Sequence, residues 1–293
     1  MKIEKIKFGL CYPKVTAAEL WRNYKVSKDP PYNPEGINVH NQDWDILLIL
    51  DACRYDLFAE RNSLEGDLSK RRSRGSTSEE WIRGNFSDGS YGDLVVISAN
   101  PFYRQLAEEV GISVHRFEWV EPKDSSSGLT PPDDITERTL EMIEEFPNKR
   151  ILAHYMQPHA PYLGPSGEDV SFQSEPLQKA VRRNDISENS IREAYKENFD
   201  LVQESIQPII EGSFGKTVIS ADHGEMLGEP LFGNIGSFSY YGHPYGCGVS
   251  CVRSVPWFVS ANSEDNRREI ISEGTNPINS ANVDEQLQAL GYL

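Results

Sequence analysis

The feature that most constrains the fold is a short, uninterrupted apolar run, WDILLILD at residues 44–51. Successive side chains of a strand point to opposite faces of a sheet, so a strand that is apolar throughout must be buried on both faces. Runs of the same kind recur at 93–100, 149–156, 216–222 and 254–261. Stretches with helical spacing lie between them. The sequence therefore predicts an α/β fold, with a mostly parallel central sheet and helices on both faces.

The same pattern predicts how the chain is organised. Residues 44–293 are predicted to form one α/β domain, because no stretch between them has the composition of a linker. Residues 1–43 are predicted to be an irregular N-terminal extension that packs on this domain. A long amphipathic helix is expected over residues 188–211, and a short closing helix over residues 282–293.

Charge and composition exclude several classes of partner. The chain has 45 acidic and 29 basic residues, a net charge of -16, which argues against binding to nucleic acid or to an anionic membrane. The longest apolar run is too short to span a bilayer, and the N-terminus lacks an apolar stretch of signal-peptide length. We therefore expect a cytoplasmic protein without a membrane span. Cys247 and Cys251 are four residues apart and could bind zinc, but buried thiols are the favoured interpretation.

Polar residues stand where the predicted strands end. Asp51 ends the first run, His159 follows the third, and Asp222 and His223 end the fourth. In open α/β sheets the ligand site lies at the carboxyl ends of the strands. Converging Asp and His side chains suit zinc, manganese or iron. The alternative is that Asp222 caps a turn and His223 is an ordinary loop residue, but the similar placement of Asp51 and His159 favours a metal site.

A hydroxyl side chain stands at a predicted helix start in RGSTSEEWIRGNF, residues 74–86. Gly75 allows a tight turn, and Thr77 precedes the helix. Free backbone N–H groups at a helix N-terminus favour a bound anion, and a metal-bound Thr there would be a nucleophile. The alternative is a capping box, because Thr77 is followed three residues later by Glu80. Both interpretations of Thr77 stay open on this segment alone.

The remaining histidines differ in their surroundings. His243 lies in a glycine-rich, aromatic segment, YYGHPYGCG at residues 240–248, that allows close approach of a substrate or metal. His40 and His115 have no such context. His154 lies within a predicted strand and is interpreted as a core histidine.

Two further charged residues, Arg54 and Glu225, lie near the strand ends. Arg54 follows Asp51 by one helical turn and could bind an anionic group, or it could pair with Asp56 instead. Glu225 follows His223 by two residues. We interpret Glu225 as supporting a ligand or starting a helix rather than binding the metal itself.

The order of these motifs resembles the alkaline phosphatase superfamily, specifically its sulfatase-like branch. The resemblance rests on LILDACRYD, GSTSEEW, PHAPY, SADHGEMLG, GHPYG and VRSVPWFVS, which together span most of residues 44–261. The C-terminal LQALGYL is also similar to the end of many sulfatase-like chains. The resemblance implies an alkaline phosphatase/sulfatase-like fold and a sulfatase-like catalytic domain over residues 44–293.

The resemblance also implies a role for each matching position. One divalent metal, Zn, Mn or Ca/Mg, would be held by Asp51, Thr77, Asp222 and His223. Thr77 would be the nucleophile that is transiently phosphorylated or sulfated. His159 and His243 would contact the ester oxygens, assist the leaving group or hold a second metal. Arg54 as a substrate-binding residue is an addition of our own.

The chain departs from the family pattern at two points. It lacks the C/S-x-P-S-R run of formylglycine sulfatases, and GSTSEEW is instead similar to the T-S-D-x-E-F segment of lipoteichoic acid synthases, which favours phosphoryl chemistry. Two-metal members carry an Asp four residues before the first His, where this chain has Tyr155. We therefore predict one metal and regard a second as doubtful.

The predicted function is a metal-dependent hydrolase of phosphate or sulfate esters, on a small molecule or a glycan, through a covalent Thr intermediate. One alternative is a phosphoglycerol- or phosphoethanolamine-type transferase acting on a glycan or lipid. Another is a non-catalytic scaffold with the same fold. Substrate specificity is expected to reside in residues 120–134, 163–187 and 228–246, because these loop-like segments can shape a pocket.

Overall fold

A computed structural model describes most of the chain. The described residues are 30–87, 89–121, 130–167, 170, 177–178, 181, 186–230, 239–261, 266–281 and 283–289. The predicted extension is thus described only from residue 30. The predicted specificity segments and the predicted closing helix lie partly outside the described residues.

An eight-stranded sheet forms the centre of the fold. Its strands, in spatial order, are β10 (Asn276–Pro277), β4 (Ser113–Trp119), β3 (Ser90–Ser98), β5 (Arg150–Tyr155), β1 (Ile46–Leu50), β6 (Thr217–Ser220), β9 (Ser254–Ser260) and β2 (Gly66–Arg72). The five strands from β4 to β6 pair in parallel, whereas β10, β9 and β2 pair antiparallel. A separate hairpin consists of β7 (Met226–Pro230) and β8 (Ser239–Gly242). The mostly parallel central sheet is therefore confirmed.

Strand β1 lies between β5 and β6 and is buried at every position. Ile46, Leu48 and Leu50 pack into one hydrophobic core, and Leu47 and Ile49 pack into a second core on the opposite face. Burying each of these side chains stabilises the fold by roughly 2 kcal/mol. The unbroken apolar run thus has the two-sided burial that its sequence predicts.

Helices cover both faces of the sheet. They are α1 (Tyr55–Arg61), α2 (Ser78–Phe86), α3 (Phe102–Val110), α4 (Pro132–Glu145), α5 (Glu188–Ser205), α6 (Gln207–Glu211), α7 (Ser250–Arg253) and α8 (Asp284–Ala289), with 3-10 turns at Val39–Asn41 and Pro165–Gly167. Apolar residues of α1, α4, α5 and α6 pack in the first core, and those of α2 and α3 pack in the second. Among the described residues, no helix is both long and apolar enough to cross a bilayer.

The single helix expected over residues 188–211 is in fact two helices. Helix α5 ends at Ser205, and α6 begins at Gln207 with Pro208 in its first turn. Proline has no backbone N–H to continue the hydrogen-bond pattern of a preceding helix, and it is well tolerated in a first turn. Pro208 therefore separates the two helices.

Strand β2 at the sheet edge is not among the predicted strands. Its sequence, GDLSKRR, is polar and mostly exposed, and it pairs antiparallel with β9 along its whole length. Charged side chains on an edge strand oppose pairing with another chain. The apolar pattern that identifies buried strands is absent from such a strand for this reason.

The described part of the N-terminal extension is irregular and lies against the domain. Its backbone contacts the end of β2 and the segment that follows it. The N–H groups of Asn33 and Ile37 donate to the carbonyls of Arg74 and Arg72, both at 2.8 Å. Val39 packs in the second core and is 1% exposed. The division of the chain into an extension and one domain stays a prediction.

Asn198 on α5 holds the loop that follows β5. Its side-chain amide donates to the carbonyl oxygens of His159 at 3.1 Å and Pro161 at 3.2 Å. Its Oδ1 accepts from the N–H of Leu163 at 2.6 Å, and the side chain is fully buried. One side chain therefore fixes the backbone around His159.

We expect Asn198→Ala to lower the free energy of unfolding by about 2–4 kcal/mol, because it leaves several backbone groups buried without partners. Urea unfolding followed by circular dichroism measures the change. Glu193→Ala, on the exposed side of the same helix, is the matched control and should change stability by less than about 0.5 kcal/mol. Equal effects of the two substitutions would contradict this role of Asn198.

Candidate metal centre

Parallel neighbouring strands bring three polar segments to one edge of the sheet. Asp51 follows β1, His154 lies near the end of β5, and Asp222 and His223 follow β6. Ligand atoms of Asp51, His154 and Asp222 lie within 4.8 Å of one another. The Nε2 atom of His223 lies 3.3 Å from Asp222 Oδ2 and 3.5 Å from Asp51 Oδ1. The predicted convergence of Asp51, Asp222 and His223 therefore holds in the structure, and His154 joins them.

The donor set of this cluster fits a divalent cation. Asp51 Oδ1, His154 Nε2 and His223 Nε2 are buried atoms without a hydrogen-bond partner among the described residues. The Nδ1 atom of His223 contacts the carbonyl oxygen of Gly224 at 2.9 Å, which places the proton on Nδ1 and leaves the Nε2 lone pair available. Unpaired buried polar atoms are costly, and a cation between them would remove that cost. Mixed carboxylate and imidazole ligands suit zinc or manganese.

The pKa shifts of Asp51, Asp222 and His223 also indicate that positive charge would stabilise this cluster. Burial and the nearby charges of Asp222 and Glu225 raise the pKa of Asp51 well above its ordinary value. Burial opposes ionisation of Asp222 too, but His223, His154 and Ser78 together lower its pKa. Burial lowers the pKa of His223 to about 3, so its imidazole is neutral at pH 7 and able to bind a metal.

Neighbouring polar groups hold the two carboxylates in place. Asp222 Oδ1 accepts from the backbone N–H groups of Ala52 at 3.0 Å and His223 at 2.8 Å. The hydroxyl of Ser78 donates to Asp222 Oδ2 at 2.7 Å, and the amide of Asn100 donates to Asp51 Oδ2 at 3.2 Å.

Sequence reasoning did not single out Ser78, Asn100 or the metal-facing role of His154. Asn100 follows β3, so the rule that selected Asp51 also applies to it. His154 was interpreted as a core histidine, and it is indeed fully buried within β5, with Nδ1 3.3 Å from the hydroxyl of Tyr103. Its Nε2, however, lies 3.6 Å from Asp222 Oδ2. No signal in the sequence indicates this orientation.

Thr77 is the N-cap of α2. Its Oγ1 accepts from the N–H of Glu80 at 3.2 Å, as the capping interpretation predicts. Gly75 lies in the turn before the helix. A Cβ on this residue would lie 2.6 Å from the carbonyl oxygen of Thr77, so only glycine fits this turn. The next residue, Ser78, is the one whose hydroxyl contacts Asp222, and it lies 3.4 Å from Asp51 Oδ2. The roles of Thr77 as metal ligand and nucleophile stay predictions.

A second cluster adjoins the first and consists of His159, Glu225 and His243. Their ligand atoms lie within 4.8 Å of one another. His243 Nδ1 lies 3.1 Å from Glu225 Oε1, and the His243 ring centroid is 4.3 Å from that of His223 and 4.9 Å from that of His159. The predicted helix start at Glu225 is wrong, because strand β7 begins at Met226.

The two histidines of this cluster have opposite pKa shifts. Burial lowers the pKa of His159 to about 4, and the nearby His243 adds to the effect. Burial also opposes protonation of His243, but the charge and hydrogen bond of Glu225 outweigh it and raise its pKa. Burial raises the pKa of Glu225, whereas His243 lowers it more, so this carboxyl is held ionised. The cluster therefore pairs a neutral imidazole with a readily protonated one.

Residue 155 contributes nothing to this cluster. The hydroxyl of Tyr155 bonds instead with that of Thr136 at 2.9 Å, within the core. His159, Glu225 and His243 are close enough together to be able to hold a metal ion, with Glu225 as the carboxylate. The prediction of a single metal stays a prediction.

Arg54 forms ion pairs at the rim of the site. Its guanidinium contacts Asp56 at 2.5 Å and Glu229 at 2.6 Å, and it donates to the backbone carbonyl of Glu225 at 3.2 Å. The ion pair with Asp56 is thus present, as the second interpretation of Arg54 expects. Substrate binding by Arg54 stays a prediction.

The cysteines do not form a metal site in the described part of the chain. Cys247 is buried, and Cys251 is partly buried. Neither belongs to a described group of side chains that could hold a metal ion. Burial raises the pKa of Cys251 to about 12, which keeps the thiol protonated at neutral pH. Both residues are therefore described as buried or partly buried thiols.

Comparison with known proteins supports the fold. No protein-family model matches the chain, and no curated protein matches it in sequence. The chain is similar in structure to the zinc complex of the C-terminal periplasmic domain of EcEptC from Escherichia coli, with a TM-score of 0.50 and 11% identity, over 81% of this chain and 77% of that chain.

Two further solved structures are similar at lower scores. A protein in the alkaline phosphatase superfamily from Vibrio parahaemolyticus has a TM-score of 0.43 and 12% identity, over 86% of this chain and 69% of that chain. The lipooligosaccharide phosphoethanolamine transferase EptA from Neisseria meningitidis, an integral membrane protein, has a TM-score of 0.48 and 13% identity over 90% of this chain. Our chain spans 59% of its length. The similarity to the EcEptC domain shows the fold, and the predicted α/β class with a mostly parallel central sheet is confirmed.

Metal affinity should rise with pH. Without a cation the raised pKa of Asp51 means that this carboxyl holds its proton to higher pH than an ordinary aspartate, and metal binding releases the proton wherever it is still held. His223 has a pKa of about 3 and does not titrate near neutrality. Below the raised pKa of Asp51, the Kd for Mn²⁺ should fall by about tenfold per pH unit. Calorimetric titrations of metal-free protein from about pH 5.5 to 7.5 measure this slope. A flat profile would argue against proton release from Asp51.

We expect His154→Gln to weaken Mn²⁺ or Zn²⁺ binding by at least about tenfold, because the Nε2 atom that faces Asp222 is lost. His115→Gln is the matched control, since His115 lies on the exposed part of β4 and contacts backbone carbonyls of residues 273 and 274. It should leave the affinity unchanged. Equal affinities of the two variants would remove His154 from the metal centre.

Proposed function

We propose that this protein is a metal-dependent enzyme that breaks phosphate esters through a covalent intermediate on a hydroxyl of α2. The observation that carries the proposal is a hydrogen bond. The hydroxyl of Ser78, the residue after Thr77, lies 2.7 Å from Oδ2 of Asp222, in the cluster whose side chains fit a divalent cation. A hydroxyl at a helix N-terminus, beside buried acids and histidines, has the elements of an activated nucleophile.

The proposed first step uses a hydroxyl oxygen of Thr77 or Ser78. This oxygen attacks the phosphorus, the new O–P bond forms, and the P–O bond to the leaving alkoxide breaks. The hydroxyl proton passes to a carboxylate of the cluster, for which Asp222 is placed by its hydrogen bond to Ser78. Backbone N–H groups in the first turn of α2 can stabilise the negative charge that develops on the phosphoryl oxygens.

The leaving alkoxide needs a proton, and His243 is suited to supply it. Glu225 raises the pKa of His243, so this imidazole retains a proton at higher pH than an ordinary histidine. His159 has a pKa of about 4 and stays neutral, which suits it to accept a hydrogen bond from the substrate or the attacking water. In the second step water attacks the phosphoryl group and gives a proton to His243, which is now neutral. The O–P bond to the enzyme hydroxyl oxygen breaks, and Asp222 returns its proton to that oxygen.

A divalent metal, when bound by Asp51, Asp222, His223 and His154, supplies positive charge that lowers the pKa of a nearby hydroxyl and stabilises phosphoryl oxygens. Thr77 is the further ligand that the family resemblance implies. The motif around Thr77 favours phosphate over sulfate as the transferred group.

A transferase is the second candidate. An acceptor alcohol in place of water would release the same intermediate, and the similar EptA is a phosphoethanolamine transferase by its description. The side chains named in this mechanism could act in the same way whether water or an alcohol accepts the phosphoryl group. A small-molecule or glycan ester remains the proposed substrate, and a cytoplasmic location remains a prediction.

Three variants separate the two hydroxyls. Thr77→Asn removes the hydroxyl but keeps an efficient N-cap, Thr77→Ser keeps both, and Ser78→Ala removes the hydroxyl that contacts Asp222. If Thr77 is the nucleophile, Thr77→Asn should lower kcat by at least about 1,000-fold while Thr77→Ser stays active. If Ser78 is the nucleophile, Ser78→Ala should instead lower kcat by at least about 1,000-fold.

Turnover of nitrophenyl phosphate, a nitrophenyl phosphodiester and nitrophenyl sulfate with added Mn²⁺ or Zn²⁺ measures these effects. Intact-mass spectrometry of acid-quenched samples should detect a phosphoryl adduct that the inactive variant lacks. Full activity of both Thr77→Asn and Ser78→Ala would exclude a covalent intermediate on α2. Absence of bound metal and of any turnover in the wild type would favour the non-catalytic scaffold.

A further inference from the structure

A buried ion pair adjoins the candidate site without belonging to its ligands. Arg253, the last residue of α7, contacts Glu80 of α2 at 3.2 Å, and their side chains are 8% and 3% exposed. Arg253 belongs to the VRSVP motif, which the proposed mechanism leaves without a role. Removing two charges from water costs several kcal/mol each, and apolar residues often replace such pairs without loss of stability. The pair therefore calls for a reason other than stability.

The carboxylate of Glu80 holds the chain segment that leads into the nucleophile candidates Thr77 and Ser78. Its Oε2 accepts from the backbone N–H of Ser76 at 2.6 Å and also from the Ser76 hydroxyl, while the Glu80 N–H donates to Thr77 Oγ1 at 3.2 Å. Ser76 immediately precedes Thr77. Glu80 thus determines where the first turn of α2, with Thr77 and Ser78, begins.

The same network reaches the loop that carries His243. The hydroxyl of Ser76 contacts the carbonyl of Pro244 and accepts from the N–H of Cys247, both at 3.1 Å. The Nε of Arg253 donates to the carbonyl of Cys247 at 2.6 Å.

Arg253 also holds the segment before α2. Its NH1 group donates to the carbonyl of Arg74 at 2.9 Å. Glu80 and Arg253 therefore join the segment of residues 74–78, which holds the nucleophile candidates, to the segment of residues 243–247, which holds the proposed acid.

We infer that Glu80 and Arg253 are positioning residues that set the distance between the hydroxyls of α2 and His243. The inference rests on the proposed function for its catalytic consequence. Attack by the hydroxyl and protonation of the leaving group occur on opposite sides of one phosphorus atom, so both groups must keep a fixed separation. A charged, forked guanidinium that bonds both segments at once defines that separation more rigidly than apolar packing does.

Glu80→Ala tests the inference, with Glu80→Gln as a conservative variant that keeps an acceptor for Ser76. We expect Glu80→Ala to lower kcat by about 100-fold with little change in KM, and Glu80→Gln to recover most of that loss. The matched control is Asp93→Ala, which breaks the Asp93–Arg150 pair, at 2.7 Å and with side chains 20% and 13% exposed, near the amino ends of β3 and β5. It should leave kcat within about threefold of the wild type.

Hydrogen exchange supplies a readout that is independent of turnover. In Glu80→Ala the amides of residues 74–78 and 243–247 should both exchange at least about tenfold faster, and in Asp93→Ala neither segment should change. Unchanged exchange in Glu80→Ala, or equal loss of kcat in Glu80→Ala and Asp93→Ala, would overturn the inference. If the wild type turns over no ester, the proposed function fails, and the exchange data still decide whether the pair joins the two segments.

Discussion

The structure depends on one electrostatic constraint, the side-by-side placement of two buried carboxylates. Asp51 and Asp222 follow adjacent parallel strands, both are fully buried, and the charge of Asp222 contributes to raising the pKa of Asp51. Two such charges are tolerated only with compensating positive charge or protonation. Asp222 takes hydrogen bonds from two backbone N–H groups and the Ser78 hydroxyl, whereas Asp51 keeps one oxygen unpaired. The unpaired oxygen suits the cluster to a cation.

The fold holds this arrangement with rigid elements. Strand β1 is buried on both faces, so Asp51 cannot shift without disturbing two cores. After Asp222, the chain passes so close to the carbonyl of Cys251 that a Cβ on Gly224 would lie 2.1 Å from it. The backbone at this point can be formed only by glycine, and it directs His223 towards the cluster and Glu225 towards His243. Apolar packing of the sheet thus supports polar groups that would be unstable on a mobile loop.

Sequence reasoning succeeded where burial leaves a pattern. The apolar runs identify the central strands, and the rule of strand ends identifies Asp51, Asp222 and His223 as neighbours. Sequence reasoning failed for a strand that lies at the exposed edge of the sheet and for a site residue whose role depends on the direction of its side chain. Strand β2 is a charged edge without an apolar period, and His154 looks like any core residue because its partner Asp222 is distant in sequence. The contrast between Thr77 and Ser78 depends on the orientation of one helical turn, which no spacing encodes.

The second cluster shows how one carboxylate divides two similar residues into different roles. The rings of His159 and His243 lie 4.9 Å apart in the same buried environment, and burial alone would keep both neutral. Glu225 Oε1 lies at hydrogen-bonding distance, 3.1 Å, from His243 Nδ1. The charge of Glu225 acts on both imidazoles, but only at His243, which also shares the hydrogen bond, does it outweigh burial. At His159, burial and the nearby His243 hold the pKa at about 4. The position of a single glutamate thus gives two neighbouring imidazoles opposite pKa shifts.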